Sequence, residues 1–356
     1  MTAASPASEP VLLEVRDLSV HFPITRGTVL RRTVGHVHAV DGLSLNLATA
    51  ETVGLVGESG SGKTTLGRAI VGLIRPTSGE ILFRGLPLSA KGATSDRAVR
   101  SQLQMVFQDP ASSLDPRWPV GASIAEPLRL NHIGTRAGRD ERVSDLLEVV
   151  GLSPAHARRY PHELSGGQRQ RVGLARALAL KPAVIVADEA VSALDASIRA
   201  QIINLLQRLQ DELRLSYLFI AHDLAVVRHL SDRVAVMYLG QIVEQADAAD
   251  LYNDPRHPYT VSLLSAAPVP DPAAEARRER IVLPGDPPNP ASPPAGCRFH
   301  TRCWLRKRLG DPERCAAEEP AAQLISTSHA AACHFTDEVP ASAGLSAAAP
   351  PAEPAS

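Results

Sequence analysis

The chain lacks most of what would mark it as a nucleic-acid or membrane-spanning protein. Its 37 Lys and Arg against 38 Asp and Glu leave a formal charge of -1, so no global basic field is available to hold DNA, RNA or anionic lipid. No stretch approaches the ~18 uninterrupted apolar residues that a bilayer-crossing helix needs. The opening "MTAASPASEP" lacks the basic and apolar regions of a secretory signal. These absences predict a soluble, cytosolic chain. Cysteine is scarce as well, with four residues confined between Cys297 and Cys333, and in a reducing compartment disulfides are not their expected use. There is no internal repeat at a fixed period and no coiled coil.

What is present is an ordinary globular balance, 44% hydrophobic and 21% charged over 356 residues, enough for two or three domains. Strand and helix patterns alternate, which predicts an α/β fold with a mainly parallel sheet and helices packed on it. The strand candidates are "LLEVRDLSV", "LSLNL", "TVGLVG", "EILF", "LQMVFQ", "AVIVADE", "YLFIA" and "RVAVMY". After Asp195 apolar residues recur at helical spacing, at Ile198, Ile202, Leu205, Leu206, Leu209 and Leu213. From about 110 to 162 strand signals vanish and "RDERVSDLLEVVGL" has helical spacing, so this block reads as an inserted helical subdomain. The α/β region is expected over 11–250, a Pro-rich appended module with the four cysteines over 251–338, and polar tails at 1–10 and 339–356.

The sharpest motif is "GESGSGKTT", where Gly57, Gly62, Lys63 and Thr64 fit G-x-x-x-x-G-K-[ST] between an apolar strand and a helix start. Glycines let successive backbone amides point at phosphate oxygens, and the helix adds its positive N-terminal end. Gly57, Glu58, Ser59, Gly60, Ser61, Gly62, Lys63, Thr64 and Thr65 are therefore the candidate ATP cradle. Lys63 is expected at the β and γ phosphates and the Thr64 hydroxyl at Mg²⁺. Farther along, "AVIVADE" ends in Asp188 and Glu189. Alternation along a strand predicts that these acids point to opposite sides, which fits one on the metal and one on the attacking water.

"LSGGQ", Leu164 to Gln168, carries no acid, base or nucleophile. Two glycines and a hydroxyl before a helix-like run suit phosphate, and Ser165 is also placed to cap that helix. The thiols form C-x5-C-x11-C-x17-C. Gathered thiolates can hold an iron–sulfur cluster or zinc. The spacing lacks the tight C-x2-C pairs of common zinc fingers, and uncoordinated thiols remain a third reading. His300, His329 and His334 are either substitute ligands or ordinary surface histidines.

Taken in order, "GESGSGKTT", "MVFQD", "LSGGQRQR", "VIVADE", "SALD" and "IAHD" resemble the ATP-binding subunits of ABC transporters, over about Val11 to Gln245. That resemblance implies a P-loop NTPase fold with an antiparallel N-terminal β subdomain. It also implies two ATPase domains facing head to tail, with ATP between the P-loop of one and Leu164, Ser165, Gly166, Gly167 and Gln168 of the other. Glu189, His222 and Lys63 then carry catalysis. Gln108 and Asp188 join Thr64 at Mg²⁺, Asp195 reaches across the dimer, and Phe22 stacks on adenine. "PITRGTVLRRTVGH" after Phe22 reads as an insertion, and Ala190 stands where the family usually has proline.

The tail "DPRHPYTVSLLSAAPVPDP" with "PPAGCRFHTRC" resembles the C-terminal extension of oligopeptide and dipeptide importer ATPases, closest to their F-type subunit. This implies peptide import, with nickel or another small solute as the alternative cargo. It further implies a peripheral location on the cytoplasmic face, two membrane permease subunits, a second and usually different ATPase subunit, and an external substrate-binding protein. For Cys297, Cys303, Cys315 and Cys333 it implies a [4Fe-4S] cluster. Rival readings are a DNA-maintenance ATPase, disfavoured by the charge and the missing coiled coil, a noncatalytic redox module, and an exporter subunit.

Overall fold

Strand β3, Thr52–Val56, is buried along its whole length, as expected of a central parallel strand covered on both faces. β7, Val184–Asp188, and β8, Ser216–Ala221, share that property. The computed structural model describes residues 11–27, 32–88, 93–109, 114–192, 194–267 and 280–340. Of the tails expected at 1–10 and 339–356, all but Val339 and Pro340 lie outside these residues, as does Ala193 of "SALD", and Val339 is a buried core residue rather than the start of a polar tail.

Two sheets organise the fold. The first is antiparallel, in the order β2-β1-β4-β5, with β1 Val11–Arg26, β2 Arg32–Ala48, β4 Ser78–Phe83 and β5 Leu86–Pro87. Leu43, Leu45 and Leu47 alternate inward along β2, the period-2 pattern of a half-buried strand. The described residues of the segment that reads as an insertion after Phe22 extend the β1–β2 ladder, with Phe22 opposite Val37 and Arg26 opposite Arg32. Its mixed polar sequence hid the strand because this end of the hairpin has an exposed edge to each side chain.

The second sheet runs β11-β12-β10-β9-β3-β8-β7-β6. β9 Arg233–Tyr238, β3, β8, β7 and β6 Leu103–Val106 pair in parallel. β10 Gln241–Asp247, β12 Ala330–Ala331 and β11 Gln323–Leu324 extend it antiparallel. The C-terminal segment therefore adds two short strands to the ATPase sheet. Tyr259, Phe299 and Val339 join the same apolar core as Tyr238 and Val236, so 251–340 is interlocked with the body it follows.

Helix α1, Lys63–Ile70, and α2, Ala93–Gln102, lie between the sheets in sequence. The helical block holds α3 Val120–Leu130, α4 Arg136–Val149 and the 3-10 turns Pro154–Arg158 and Pro161–Glu163. α5 Gly166–Leu178 follows, then α6 Ala196–Leu213. α6 buries Ile202, Leu205, Leu206 and Leu209, each contributing about 1.5–3 kcal/mol of burial. Leu213, expected on the same face, is 51% exposed, because the helix ends there at Arg214 in a left-handed conformation. α7 Leu224–Leu230, α8 Ala248–Asn253, α9 Pro258–Ala266, α10 Trp304–Arg308 and α11 Arg314–Ala317 complete the described helices. None is long and apolar enough to cross a membrane.

Candidate nucleotide site and cysteine pocket

Parallel pairing brings the carboxyl ends of β3, β8, β7 and β6 to one edge of the sheet, the usual place for a ligand in such folds. The glycine-rich loop follows β3, Asp188 ends β7, His222 follows β8 and Gln108 follows β6. Gly62 precedes α1 at φ 108°, and a Cβ there would meet the Ala39 carbonyl oxygen at 2.0 Å. Only glycine lets the loop turn into α1 this close to β2.

Lys63 lies folded onto its own loop. Its Nζ donates to the carbonyls of Gly57 at 2.7 Å and Glu58 at 2.8 Å. Burial pulls this ammonium below the ordinary lysine value, against the nearby carboxylates of Glu189, Asp188 and Glu58. Such a cation is poised to exchange backbone carbonyls for stronger anionic acceptors. Thr64 Oγ1 donates to Asp188 Oδ1 at 2.9 Å, which places two oxygen donors side by side. Burial also raises Asp188 above the usual carboxylate range, with the charge of Glu189 adding to the rise and the Thr64 hydrogen bond opposing it. A divalent cation reverses that cost by favouring the charged form. Ser61 and Thr65 flank these groups as buried and half-buried residues, while Ser59 and Gly60 are exposed at the crest of the loop.

Glu189 departs from the strand-alternation expectation. The strand ends at Asp188, and Glu189 takes a left-handed conformation at φ 48°, an uncommon state for a residue with a side chain. This turn, rather than strand alternation, sets where the Glu189 side chain goes. Gln108 Nε2 donates to Glu189 Oε2 at 2.7 Å, and His222 Nδ1 lies 3.8 Å from the same oxygen. Ser192 closes the turn by donating its amide, at 3.1 Å, and its hydroxyl, at 2.9 Å, to the Glu189 carbonyl.

The second glycine turn is built differently. Ser165 Oγ accepts from the Gln168 amide at 3.3 Å, and Gln168 Oε1 accepts from the Ser165 amide at 3.0 Å, a reciprocal cap on α5. Leu164 and Gly167 are buried, Gly166 and Gln168 half-buried, Ser165 exposed. A Cβ on Gly167 would approach Ile198 Cγ2 to 2.5 Å, so glycine fixes how closely α5 sits on α6. Asp195 opens α6 exposed and without a side-chain capping bond.

Residues 40–192 match the ABC transporter family, and residues 243–308 match the oligopeptide/dipeptide transporter C-terminal region. The oligopeptide transport ATP-binding protein AppF of Bacillus subtilis is 51% identical over 94% of this chain and 99% of its own length. OppF of Salmonella typhimurium, also an oligopeptide transport ATP-binding protein, is 50% identical over 92% and 97%. The chain belongs to the ABC transporter ATP-binding family.

Solved ABC cassettes agree with this fold. CbiO1 of Clostridium perfringens, part of the ABC transporter complex CbiONQ, superposes with a TM-score of 0.59 at 28% identity, over 68% of this chain and 91% of that one. The dimeric cassette MJ0796 in a post-hydrolysis state with ADP and Pi gives 0.58 at 27%, over 67% and 99%. Phe22, on the hairpin of this ABC subunit, is 40% exposed. Its neighbour His21 pairs with Asp41 at 2.9 Å, the Asp41 amide donates to Gly240, and the Gly240 amide donates to Ser61 of the P-loop. His21, His38 and Asp41 form the one close group of metal-ligand residue types among the described residues. Asp41 is nevertheless already hydrogen-bonded by Arg298, a cation in the place a metal would need.

The four cysteines are free thiols that line one small cavity together with His257, Phe299 and His334. Burial pushes the Cys297 thiol up to about 11 and Cys333 up to about 12, and raises Cys303 and Cys315. The amides of Arg306 and Phe335 donate to Cys303 Sγ and Cys333 Sγ, each at 3.4 Å. Of the histidines read as surface groups, His329 is buried and bonded to the buried Glu244 at 2.8 Å. His300 Nδ1 faces the Cys297 carbonyl at 2.8 Å, and His334 Nε2 the Glu318 carbonyl at 2.9 Å.

Sequence reasoning missed what joins these two sites. Arg302 Nη1 and Nη2 donate to the two carboxylate oxygens of Glu58 at 2.7 and 3.1 Å. The Glu58 amide donates to the Tyr259 hydroxyl at 2.7 Å. Burial works against the Arg302 charge, and the Glu58 carboxylate more than offsets it, leaving the guanidinium above its ordinary value. A pairing across 244 positions leaves no periodic signal in a single sequence.

Proposed function

We propose that this chain is the ATP-hydrolysing subunit of an importer for peptides, and that it works by closing on ATP with a second ATPase subunit. One observation carries the chemistry: Gln108 and His222 converge on one oxygen of Glu189, beside a Thr64–Asp188 oxygen pair and a folded-back Lys63. Glu189 takes a proton from the attacking water as general base. His222 and Gln108 hold that carboxylate and the water in line. Lys63 turns from the loop carbonyls to the β and γ phosphates. Thr64 and Asp188, with Gln108 at the edge, would hold Mg²⁺, which would supply charge to neutralise the phosphates. Phe22 stacks on adenine.

The exposed turn from Leu164 to Gln168 then faces the neighbouring subunit's nucleotide, and Asp195 reaches across the same interface. ATP favours the closed pair only through contacts that the open pair lacks, so hydrolysis reopens it. The names of AppF and OppF support peptide cargo. Two permease subunits dock from the membrane side, and a groove beside β6 lined by Met105, Phe107 and Pro127 together with Arg100, Gln104 and Arg176 suits an amphipathic permease segment. A different ATPase subunit as partner, an external binding protein and a peripheral cytoplasmic-face position complete this reading.

For the cysteine cavity we propose an iron–sulfur cluster rather than a single zinc ion. Zinc brings four sulfurs to about 3.8 Å from one another at its bond length of about 2.3 Å. No three cysteine sulfurs here lie within 4.8 Å of each other. Burial of the thiols and the backbone amides aimed at two of the sulfurs support this reading, with [4Fe-4S] as the proposed cluster and uncoordinated thiols as the alternative. Bound there, it would cross-link the loop. Protein purified without oxygen is expected to be brown and to carry iron, and a colourless preparation without iron removes the assignment. The transport reading is tested by purifying the chain from membranes and deleting its gene. Copurifying permeases and lost peptide uptake are expected, whereas intact peptide uptake refutes it.

A further inference from the structure

The C-terminal segment reaches the P-loop at two points. Arg302 immediately precedes Cys303 and Arg298 immediately follows Cys297, so the loop that gathers the thiols also aims two guanidiniums at the ATPase body. Arg302 has a side chain only 6% exposed and grips Glu58 through both carboxylate oxygens. Arg298 donates to Asp41 and, at 2.6 Å, to the Leu239 carbonyl. The amide of Asp41 donates to Gly240, whose own amide donates to Ser61 of the P-loop at 2.9 Å.

Glu58 sits inside the phosphate loop. Its carbonyl accepts from Lys63 Nζ and from the Ser61 amide, at 2.8 and 3.2 Å. Its carboxylate is a negative charge beside the seat of a strongly anionic triphosphate, where like charges in a poorly solvated site repel. The Arg302 fork pairs that charge with a cation and holds the side chain by both oxygens. Tyr259 holds the amide, packed against Tyr238 at 4.7 Å and Phe299 at 5.4 Å.

We propose that Arg302 is a positioning residue for ATP: by neutralising and orienting Glu58, it makes the C-terminal segment part of the nucleotide site. This rests on the ATP-binding reading above. Removing Arg302 leaves an uncompensated carboxylate against the phosphates, whereas removing both charges leaves only a neutral polar side chain.

The test is titration of the full-length chain with a fluorescent ATP analogue, with ATPase kinetics and unfolding midpoints measured in parallel. Arg302→Ala is expected to weaken nucleotide binding about tenfold or more and to raise KM more than it lowers kcat. Arg302→Ala combined with Glu58→Gln is expected to recover most of that affinity. Native affinity in Arg302→Ala overturns the proposal. So does a folded double variant that binds no better than the single one, because Arg302 then acts only as a structural anchor. If Arg302→Ala does not fold, Arg302→Lys keeps the charge and loses the fork. Intermediate affinity in that variant supports the proposal, and native affinity overturns it. A native chain that binds no ATP contradicts the nucleotide reading itself.

Discussion

The chain carries two glycine-rich turns at helix N-termini, and they differ in what surrounds them. At the first, Lys63, Thr64 and Glu58 are held by Gly57, Asp188 and Arg302, so the loop is braced by groups from both the sheet and the C-terminal segment. At the second, Ser165 is exposed and its side chain bonds within its own cap to the Gln168 amide. In the reading we propose, the braced loop is half of a reaction centre and the exposed one a docking face whose ligand arrives from elsewhere, so that one subunit holds two unlike halves.

The largest expected effect breaks the first half alone. Glu189→Gln is predicted to lower hydrolysis on the order of a hundredfold or more while ATP binding stays near native, as read by turnover and equilibrium titration. Hydrolysis at the native rate removes Glu189 from its role. Next, Lys63→Ala is predicted to weaken ATP binding about tenfold to a hundredfold through loss of a charge-assisted bond. Ser165→Glu sharpens the contrast. It sets a carboxylate against the partner's phosphates and is predicted to cut turnover of the assembled transporter about tenfold, with ATP binding by the isolated chain unchanged. Equal loss of binding in both variants would show that the halves are not distinct. The smallest effect is structural: Ser165→Ala removes the cap of α5 and is expected to cost about 1 kcal/mol in denaturant unfolding.

Much of this arrangement was legible in the sequence for a physical reason. "GESGSGKTT", "LSGGQ" and "VIVADE" are contiguous because phosphate cradles and strand-end acids use neighbouring backbone, and the buried strands announce themselves as short apolar runs. What escaped detection depends on distant partners. β11 and β12 have two residues each and no period to read. Their place is set by pairing with β10, and by Glu244, which accepts from His329 and from the amides of Arg256 and His257. The left-handed turn at Glu189 is imposed by its surroundings, since its own side chain disfavours it. Arg302 looked like one more charge in "CRFHTRC" until Glu58 was placed beside it.

The composite-site account is tested most directly by a photo-cross-linking amino acid at Ser165, introduced into the Glu189→Gln transporter to hold ATP uncleaved. The account predicts an ATP-dependent cross-link to the phosphate loop of the neighbouring ATPase subunit. A cross-link that never reaches that loop, or forms equally without ATP, contradicts it.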